Sequence, residues 1–259
     1  MLFCFSGTGN THWAAQTVAT ALGESLLAVA DELRGDCSYD FGEGERLGFC
    51  FPVHGWWPPA IVREFIARAT FRTRPDTYVY VLATYGDSAG LAYKMLAKDL
   101  SLLGINVHAN FGLCMPESYV CLPFMYTDKP QREKQKIESA AQQLSVFTDL
   151  IVKRSVVPHA YHSGTAPWLL THVLGRWFNA HLITDRHFTV DPSRCIHCGL
   201  CQKACPTGDV ALNDMQLPQW SHDGSCTCCM ACYHHCPQHA INYGPLTRRR
   251  GQYFFGRRT

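Results

Sequence analysis

The sequence predicts an α/β domain with a parallel sheet, followed by a smaller, cysteine-rich α+β domain. Strand-like and helix-like segments alternate through residues 1–154, which is the rhythm of a parallel sheet. Proline and glycine break this pattern in residues 155–185, where we expect a linker with one amphipathic helix. A repeated cysteine run then dominates residues 186–259. The length of 259 residues is also typical of two domains.

The first domain is expected to contain five strands, each a short apolar or β-branched run. The third has the continuous apolar character of a strand that is covered on both faces. The predicted strands are Met1–Phe5, Leu26–Ala30, Leu47–Phe51, Tyr78–Thr84 and Ile105–Leu113. The predicted helices are Thr11–Leu22, Pro59–Ala69, Ala89–Leu103 and Lys129–Lys153.

A turn rich in glycine and hydroxyl groups joins the first strand to the first helix. It consists of Ser6, Gly7, Thr8, Gly9, Asn10 and Thr11. Glycine permits tight backbone geometry, and free N–H groups at a helix start attract an anion. The turn is not a Walker loop, because no Gly-Lys-Ser/Thr sequence ends it. Hydroxyls in place of a lysine favour a single terminal phosphate, as in FMN; the alternative is an ordinary polar turn.

This turn resembles the phosphate loop of flavodoxins. That family has a doubly wound sheet of five parallel strands in the order 2-1-3-4-5, and it binds FMN at the switch point between the first and third strands. The resemblance implies a flavodoxin-like fold for residues 1–154 and FMN as its cofactor.

The resemblance also implies that two loops at the carboxyl ends of strands contact the flavin ring. They comprise Pro52, Val53, His54, Gly55, Trp56 and Trp57, and then Thr84, Tyr85, Gly86 and Asp87. Trp56, Trp57 or Tyr85 is expected to stack on the ring; a hydrophobic plug against the neighbouring domain is the less favoured alternative for the tryptophans. Capping of the following helix is the favoured role of Asp87. Residues 115–119 are expected to rim the same site.

Two copies of one cysteine pattern lie 31 positions apart. Each has the spacing Cys-x2-Cys-x2-Cys-x3-Cys-Pro, the run that binds two 4Fe–4S clusters in bacterial ferredoxins. Three closely spaced thiolates reach three corners of one cubane, and the fourth ligand comes from the other copy. One cluster is therefore assigned to Cys195, Cys198, Cys201 and Cys236, and the other to Cys226, Cys229, Cys232 and Cys205.

Other interpretations of the cysteines are weaker. Zinc binds paired Cys-x2-Cys sites but does not need four cysteines and a proline in each copy. A disulfide scaffold is disfavoured because no secretory leader begins the sequence. Cys228 corresponds to no ligand of the first run, so we expect a bystander thiol. Cysteines at no ligand spacing are expected to be free thiols; they are Cys4, Cys37, Cys50, Cys114 and Cys121.

The linker and the end of the chain each carry a pattern of their own. The segment Trp168–Phe178 is a predicted helix that docks on one or both domains, or alternatively on a membrane surface or a partner. Its apolar side is expected to comprise Leu170, Val173, Leu174, Trp177 and Phe178. A basic tail contains Arg248, Arg249, Arg250, Arg257 and Arg258. The tail is expected to be solvated or to wrap its own domain, with docking of an acidic redox partner as the alternative.

Composition argues against several classes of protein. The net charge is +2, and the basic residues form no stripe for nucleic acid. No stretch reaches the roughly 20 uninterrupted apolar residues of a membrane-spanning helix. The missing leader and the many cysteines favour a reducing, oxygen-poor cytoplasm.

The whole chain resembles fusions of a flavodoxin-like domain with a two-cluster bacterial ferredoxin from anaerobes. Clusters move single electrons, and flavins accept one or two. We therefore expect an electron-transfer flavoprotein that relays electrons between FMN, two 4Fe–4S clusters and an external redox protein. A flavin-dependent reductase of a small molecule, with His54 or Tyr85 as proton donor, is the second hypothesis. An interaction module without flavin is the third.

Overall fold

A parallel sheet forms the centre of the first domain in the computed structural model, which describes residues 1–257. The strands are β1 (Leu2–Cys4), β2 (Leu26–Ala28), β3 (Ser38–Asp40), β4 (Arg46–Pro52), β5 (Thr70–Arg72), β6 (Tyr78–Tyr85), β7 (Ala109–Cys114), β8 (Val157–Ala160), β9 (Phe188–Val190), β10 (Val210–Leu212), β11 (Pro218–Trp220) and β12 (Ile241–Tyr243). The sheet has the order β2-β1-β4-β6-β7-β8, and every neighbouring pair is parallel. Its first five strands have the doubly wound, flavodoxin-like topology.

Helices cover both faces of this sheet. They are α1 (Asn10–Leu22), α2 (Val29–Glu32), α3 (Ala60–Arg68), α4 (Ala92–Ser101) and α5 (Pro130–Val152). Because side chains alternate along a strand, Leu2 joins the core beneath α1 and α5, whereas Phe3 joins the core beneath α3 and α4. The rings of Phe3 and Phe65 lie 4.9 Å apart in that second core.

The sheet has one strand more than the five that the sequence predicts. The additional strand, β8, pairs with β7 at the edge of the sheet, where Pro158 needs no partner for its missing N–H group. The chain reaches this edge at the end of α5, and Ser155 accepts a hydrogen bond from the hydroxyl of Tyr78 there (2.6 Å). A further parallel pair, β3 with β5, was also not predicted.

The second domain is built from two short antiparallel strand pairs and two short helices. Strand β9 pairs with β12, and β10 pairs with β11. The helices are α8 (Leu200–Ala204) and α9 (Ala231–His234), numbered here after the two linker helices α6 (Pro167–Leu169) and α7 (Arg176–His181). Val210 and Ile241, which lie 31 positions apart, are both buried and open β10 and β12. The internal repeat of the sequence is thus a repeat of structure.

The linker helix docks on the first domain, and of its predicted apolar side Phe178 packs there, against Gly55 and Tyr119. A π-helical stretch, Leu170–Gly175, joins α6 to α7 and widens the turn there. Thr171 and Gly175 are buried against the first domain. The predicted side is largely exposed, with Val173, Leu174 and Trp177 at 47%, 46% and 54%. No helix among residues 1–257 is long and apolar enough to cross a membrane.

The basic tail folds back across both domains. Arg250 is buried, donates a hydrogen bond to the carbonyl of Leu122 (2.7 Å) and lies over the ring of Tyr126. Arg248 and Arg249 are exposed in a 3₁₀ turn (Leu246–Arg249). Arg258, predicted as part of the tail, lies outside the described residues. The tail is therefore solvated at Arg248 and Arg249, as expected, but Arg250 shows that it is not confined to its own domain.

Candidate functional site

Loops at the carboxyl ends of β1, β4, β6 and β7 enclose a cavity of about 340 Å³. This volume lies within the range of cofactor and small-molecule sites. Every residue that the sequence predicts for the flavin lines the cavity, except Gly9 and Trp57. Residues 115–119 also line it, as expected.

The turn from Ser6 to Thr11 offers unpaired donors to this cavity. Across the described part of the chain, none of its backbone N–H groups donates a hydrogen bond to another protein group. The hydroxyl oxygen of Ser6 is buried and also has no partner. Gly9 has a φ of 93°, the left-handed backbone that lets the chain enter α1 with these amides exposed. Unpaired amides at a helix start suit a phosphate.

Asn10 and Thr11 hold this turn in place rather than face a ligand freely. The amide of Asn10 donates to the carbonyl of Pro116 (3.2 Å), and its oxygen accepts from the hydroxyl of Tyr253 (2.6 Å). The hydroxyls of Thr11 and Thr84 lie 2.7 Å apart and are buried. The side chain of Asn10 is therefore a link between the turn and the tail.

The tail covers the outer side of the phosphate turn. The N–H of Phe255 donates to the carbonyl of Thr8 (2.8 Å), and its ring stacks on that of Trp13 at 4.9 Å. A β-carbon on Gly9 would lie 3.2 Å from that of Phe255, so glycine also permits this close contact. No sequence pattern indicated this contact, because it joins segments far apart in the chain.

The two tryptophans of the first ring loop have different surroundings. Trp56 lines the cavity, and its indole N–H donates to the hydroxyl of Ser88 (3.2 Å). Trp57 donates instead to the carbonyl of Thr171 in the linker helix (2.8 Å), with Arg63 over its ring. Trp57 thus plugs the boundary with the linker, and Trp56 is the tryptophan placed to meet a flavin.

The second ring loop is held by groups outside it. The hydroxyl of Tyr85 accepts a hydrogen bond from the N–H of His162 (2.8 Å), and burial raises the pKa of Tyr85.

The expectation that Asp87 caps the next helix was wrong. Helix α4 starts five positions later, its N-cap is Leu91, and no side chain caps it. The side chain of Asp87 is exposed at the cavity instead.

A half-buried carboxyl within the predicted rim, to which the sequence assigned no role of its own, lies in the cavity wall. Glu117 packs against Gly86 so closely that any side chain at position 86 would overlap it. Burial raises the pKa of Glu117, whose carboxyl accepts a hydrogen bond from the N–H of Tyr119 (3.2 Å). Lys136 donates to the carbonyl of Gly86 (2.9 Å) and to Asp128 (2.7 Å). A lone glutamate in an irregular loop carries no sequence pattern that would have identified it.

The predicted cluster cysteines gather into two cages. The outer cage contains Cys195, Cys198, Cys201 and Cys236. The inner cage contains Cys226, Cys229, Cys232 and Cys205. The fourth thiol of each cage comes from the other copy of the pattern, as in the predicted crossed assignment. Cys198 in the outer cage is exposed.

The inner cage also contains polar atoms without a protein partner. The indole nitrogen of Trp220 and one carboxyl oxygen of Asp209 are buried there and unpaired. Burial raises the pKa of Cys229 to about 11, so its thiol deprotonates readily only on binding a metal. An unpaired N–H donor among buried thiols fits a cluster, whose sulfurs accept hydrogen bonds.

The two cysteine loops have the same backbone. His197 and Cys228, 31 positions apart, have φ values of 57° and 50°. Gly199 and Met230, at the same offset, have φ values of 69° and 62°. Left-handed backbone at a residue other than glycine is uncommon, and its repetition indicates that wrapping three thiols around a cube requires it. Cys228 therefore occupies the place of His197 and lies outside the inner cage.

The inner cage and the cavity share a wall. Cys228 and Cys229 line the cavity together with the phosphate turn. A β-carbon on Gly7 would lie 2.6 Å from that of Cys229. Cys228 packs in the core of the second domain with Cys121, whose thiol contacts the sulfur of Met230 at 3.1 Å.

Comparison with protein families identifies the second domain. Residues 187–244 match the model of a 4Fe–4S dicluster domain, and residues 154–208 match another model of the same description. The second domain is of the 4Fe–4S dicluster type. It accordingly carries iron–sulfur clusters. A search of curated proteins gave no significant match.

Several solved structures align with part of the chain. Among them are a putative flavoprotein from Bacteroides uniformis ATCC 8492, the Trp repressor binding protein from Bacillus subtilis and an NAD(P)H:quinone oxidoreductase from Methanothermobacter marburgensis. Their identities are 23%, 16% and 18%, and their TM-scores are 0.32, 0.39 and 0.32. The alignments cover 44%, 60% and 56% of this chain and 88%, 96% and 93% of theirs. At these values the likeness does not bear on activity.

Proposed function

We propose that this chain is an electron-transfer flavoprotein. Electrons pass between an external redox protein, a cluster in the outer cage, a cluster in the inner cage and FMN in the cavity of about 340 Å³. The observation that carries this proposal is the shared wall, in which Gly7 of the phosphate turn touches Cys229 of the inner cage. Electron tunnelling falls steeply with distance, so such contact between two cofactor sites favours transfer between them.

The chemistry of the cavity supports FMN as its occupant. The unpaired amides from Ser6 to Thr11 and the Ser6 hydroxyl supply donors for a terminal phosphate. Trp56 and the loop around Gly86 supply an aromatic surface and close backbone approach for a planar ring. Lys136 fixes the carbonyl of Gly86 with a hydrogen bond of 2.9 Å, so that the ring-edge loop is preorganised.

The exposure of the cysteines supports an order for the path. Cys198 places the outer cage at the protein surface, whereas the inner cage lies between it and the cavity wall. The outer cluster is therefore the site that exchanges electrons with a partner protein, and the inner cluster is the one that exchanges them with FMN.

An anaerobic redox titration of the whole chain tests this proposal. Purified protein with iron, sulfide and FMN restored should show both cluster and flavin absorbance. Reductant supplied to the clusters should bleach the flavin in the same molecule. Protein that holds two clusters but binds no FMN, or FMN that stays oxidised while both clusters are reduced, would refute it.

A second candidate is a reductase of a small molecule. A neighbouring cavity of about 830 Å³ shares His54 and Ile183 with the first, and Glu117 adds a half-buried carboxyl beside Gly86. Burial lowers the pKa of His54 to about 4, so His54 is neutral near pH 7, whereas burial raises the pKa of the Glu117 carboxyl. Reduced protein that is reoxidised by quinones or azo dyes but not by carrier proteins would favour this candidate.

A further inference from the structure

We propose that an acidic one-electron carrier protein docks on an apolar surface around the outer cage. This surface, the outer patch, comprises Ile196, Leu200 and Met215. The inference rests on the proposed function and identifies the class of partner at the outer end of the path.

The outer patch surrounds an exposed cluster thiol. Ile196 and Leu200 stand two residues before and after Cys198, and Met215 precedes Gln216; these three large apolar side chains are 56%, 42% and 68% exposed. The ring of His197 lies 3.3 Å from the carbonyl of Gln216, so the first cysteine loop and the turn between β10 and β11 form one face. Cys198 is exposed within that face.

The internal repeat shows that cluster binding does not require these apolar side chains. The positions equivalent to Ile196 and Leu200 in the second copy are Thr227 and Ala231. Both are small and buried, at 7% and 1%. The copy that faces the interior therefore has small residues, whereas the copy that faces solvent has large apolar ones. A binding surface accounts for this difference, because exposure of apolar area is otherwise unfavourable.

Charge selects the kind of partner. Residues 186–259 contain eight arginines and lysines, four aspartates and no glutamate, but five of the arginines belong to the tail, so the positive charge at the outer patch is that of Arg194 and Lys203. Arg194 and Lys203 are exposed beside the outer patch, with Asp214 as the opposing charge. Across the described residues, none of these three takes part in an ion pair. A small apolar contact with a basic rim is suited to a transient complex with an acidic carrier.

Stopped-flow reduction of the whole, cluster-loaded chain tests this inference. The probe is a reduced, acidic two-cluster ferredoxin, and reduced methyl viologen is the small-molecule comparison. The variants are Met215→Glu and Ile196→Glu, with Leu102→Glu as control because Leu102 is 78% exposed on the first domain. We expect both patch variants to lower the ferredoxin rate at least tenfold and to leave the viologen rate unchanged. Leu102→Glu should change neither rate.

Further measurements separate docking from damage. The milder variant Met215→Ser, which adds no charge, should lower the ferredoxin rate with full iron content. The wild-type rate should also fall as salt is raised. Ferredoxin rates that stay at the wild-type value in both glutamate variants and are insensitive to salt would overturn the inference. Wild-type clusters that accept electrons from viologen without passing them to flavin would instead overturn the proposed function.

Discussion

A methyl group added to Gly7 would stand 2.6 Å from the β-carbon of Cys229 and 3.0 Å from its sulfur. Gly7 belongs to the phosphate turn of the first domain, and Cys229 belongs to the inner cage of the second. The two sites therefore meet through the backbone of one and a ligand side chain of the other, with no other residue between them. Glycine at position 7 is what permits the contact.

Replacement of Gly7 by alanine should separate the two sites. The added carbon overlaps Cys229, and relief of such overpacking costs about 1–3 kcal/mol. We expect FMN affinity to fall roughly tenfold, with slower electron transfer between the inner cluster and the flavin. FMN titration and stopped-flow spectroscopy measure these effects. Gly42→Ala is the control, because its new carbon would meet nothing closer than 3.7 Å; equal losses in both variants would contradict the proposed contact.

Replacement of Cys205 by serine should damage the inner cluster selectively. Cys205 lies in the cage of Cys226, Cys229 and Cys232, although it is closer in sequence to the outer set. We expect the resonance signal of one cluster to be lost and about half of the iron with it. Cys228→Ala should leave the iron content unchanged. Loss of the outer cluster in Cys205→Ser, or loss of iron in Cys228→Ala, would show that the crossed assignment is wrong.

Local patterns predicted the elements that depend on local physics. The apolar strand Leu47–Phe51 and the turn Ser6–Thr11 were predicted close to where they lie, because burial and backbone geometry determine both. The cysteine spacing also predicted that the three close thiols of each copy share one cage, because thiol reach is set over a few residues; the crossed ligand assignment stays a prediction. Strand β8 was missed because Val157–Ala160 is short, contains proline and gains stability only from pairing with β7.

Contacts between distant segments could not be read from the sequence. The position of Glu117 against Gly86 depends on how two loops meet, and neither loop has a periodic pattern. The buried face of the linker helix includes Phe178, which packs on Gly55, but also the polar Thr171, so apolar character alone did not identify it. The position of Glu117 and the buried face of the linker helix are both determined by contacts between segments that are distant in sequence.

The tail should contribute to retention of the flavin. The hydroxyl of Tyr253 donates to the buried oxygen of Asn10, and Tyr253→Phe leaves that oxygen without its partner. Loss of this hydrogen bond costs about 1–3 kcal/mol. The cost lowers the free energy of unfolding and loosens the phosphate turn. We expect a lower melting temperature and a faster release of FMN, measured by fluorescence of the freed flavin. Phe124→Ala, which removes an aromatic ring that is 91% exposed, should change neither; identical behaviour of the two variants would argue against the role of the tail.

Burial of His54 should make the protein less stable in weak acid. Its pKa is lowered from 6.5 to about 4, so the unfolded chain takes up a proton before the folded one does. This stabilisation is complete above pH 6.5 and is lost as the pH falls from 6.5 to about 4. At pH 5.5 the loss in free energy of unfolding is about 1 kcal/mol. Replacement by phenylalanine should reduce the fall in melting temperature between pH 7.5 and 5.5 by roughly 2–4 °C. The control His172→Phe, at an exposed position, should leave the fall in melting temperature unchanged. If His54→Phe also leaves it unchanged, His54 is not the source of the acid sensitivity.

Asp209 should lower the reduction potential of the inner cluster relative to the outer one. Asp209 is 2% exposed in the inner cage; one of its carboxyl oxygens accepts from the hydroxyl of Ser221 (2.6 Å) and the other has no partner. The equivalent position of the outer cage, 31 residues later, is Ala240. A buried carboxyl oxygen with no hydrogen-bond donor disfavours the additional electron of a reduced cluster, because its negative potential is unscreened.

The internal repeat allows this charge to be removed from one cage and added to the other. Asp209→Asn should raise the potential of the inner cluster by about 100 mV, and Ala240→Asp should lower that of the outer cluster by a similar amount. An anaerobic titration followed by electron paramagnetic resonance resolves the two centres. Asp223→Asn, at an exposed site of the same domain, should move neither potential. If Asp209→Asn shifts both clusters equally, the carboxylate acts on the domain as a whole and does not distinguish the inner centre from the outer one.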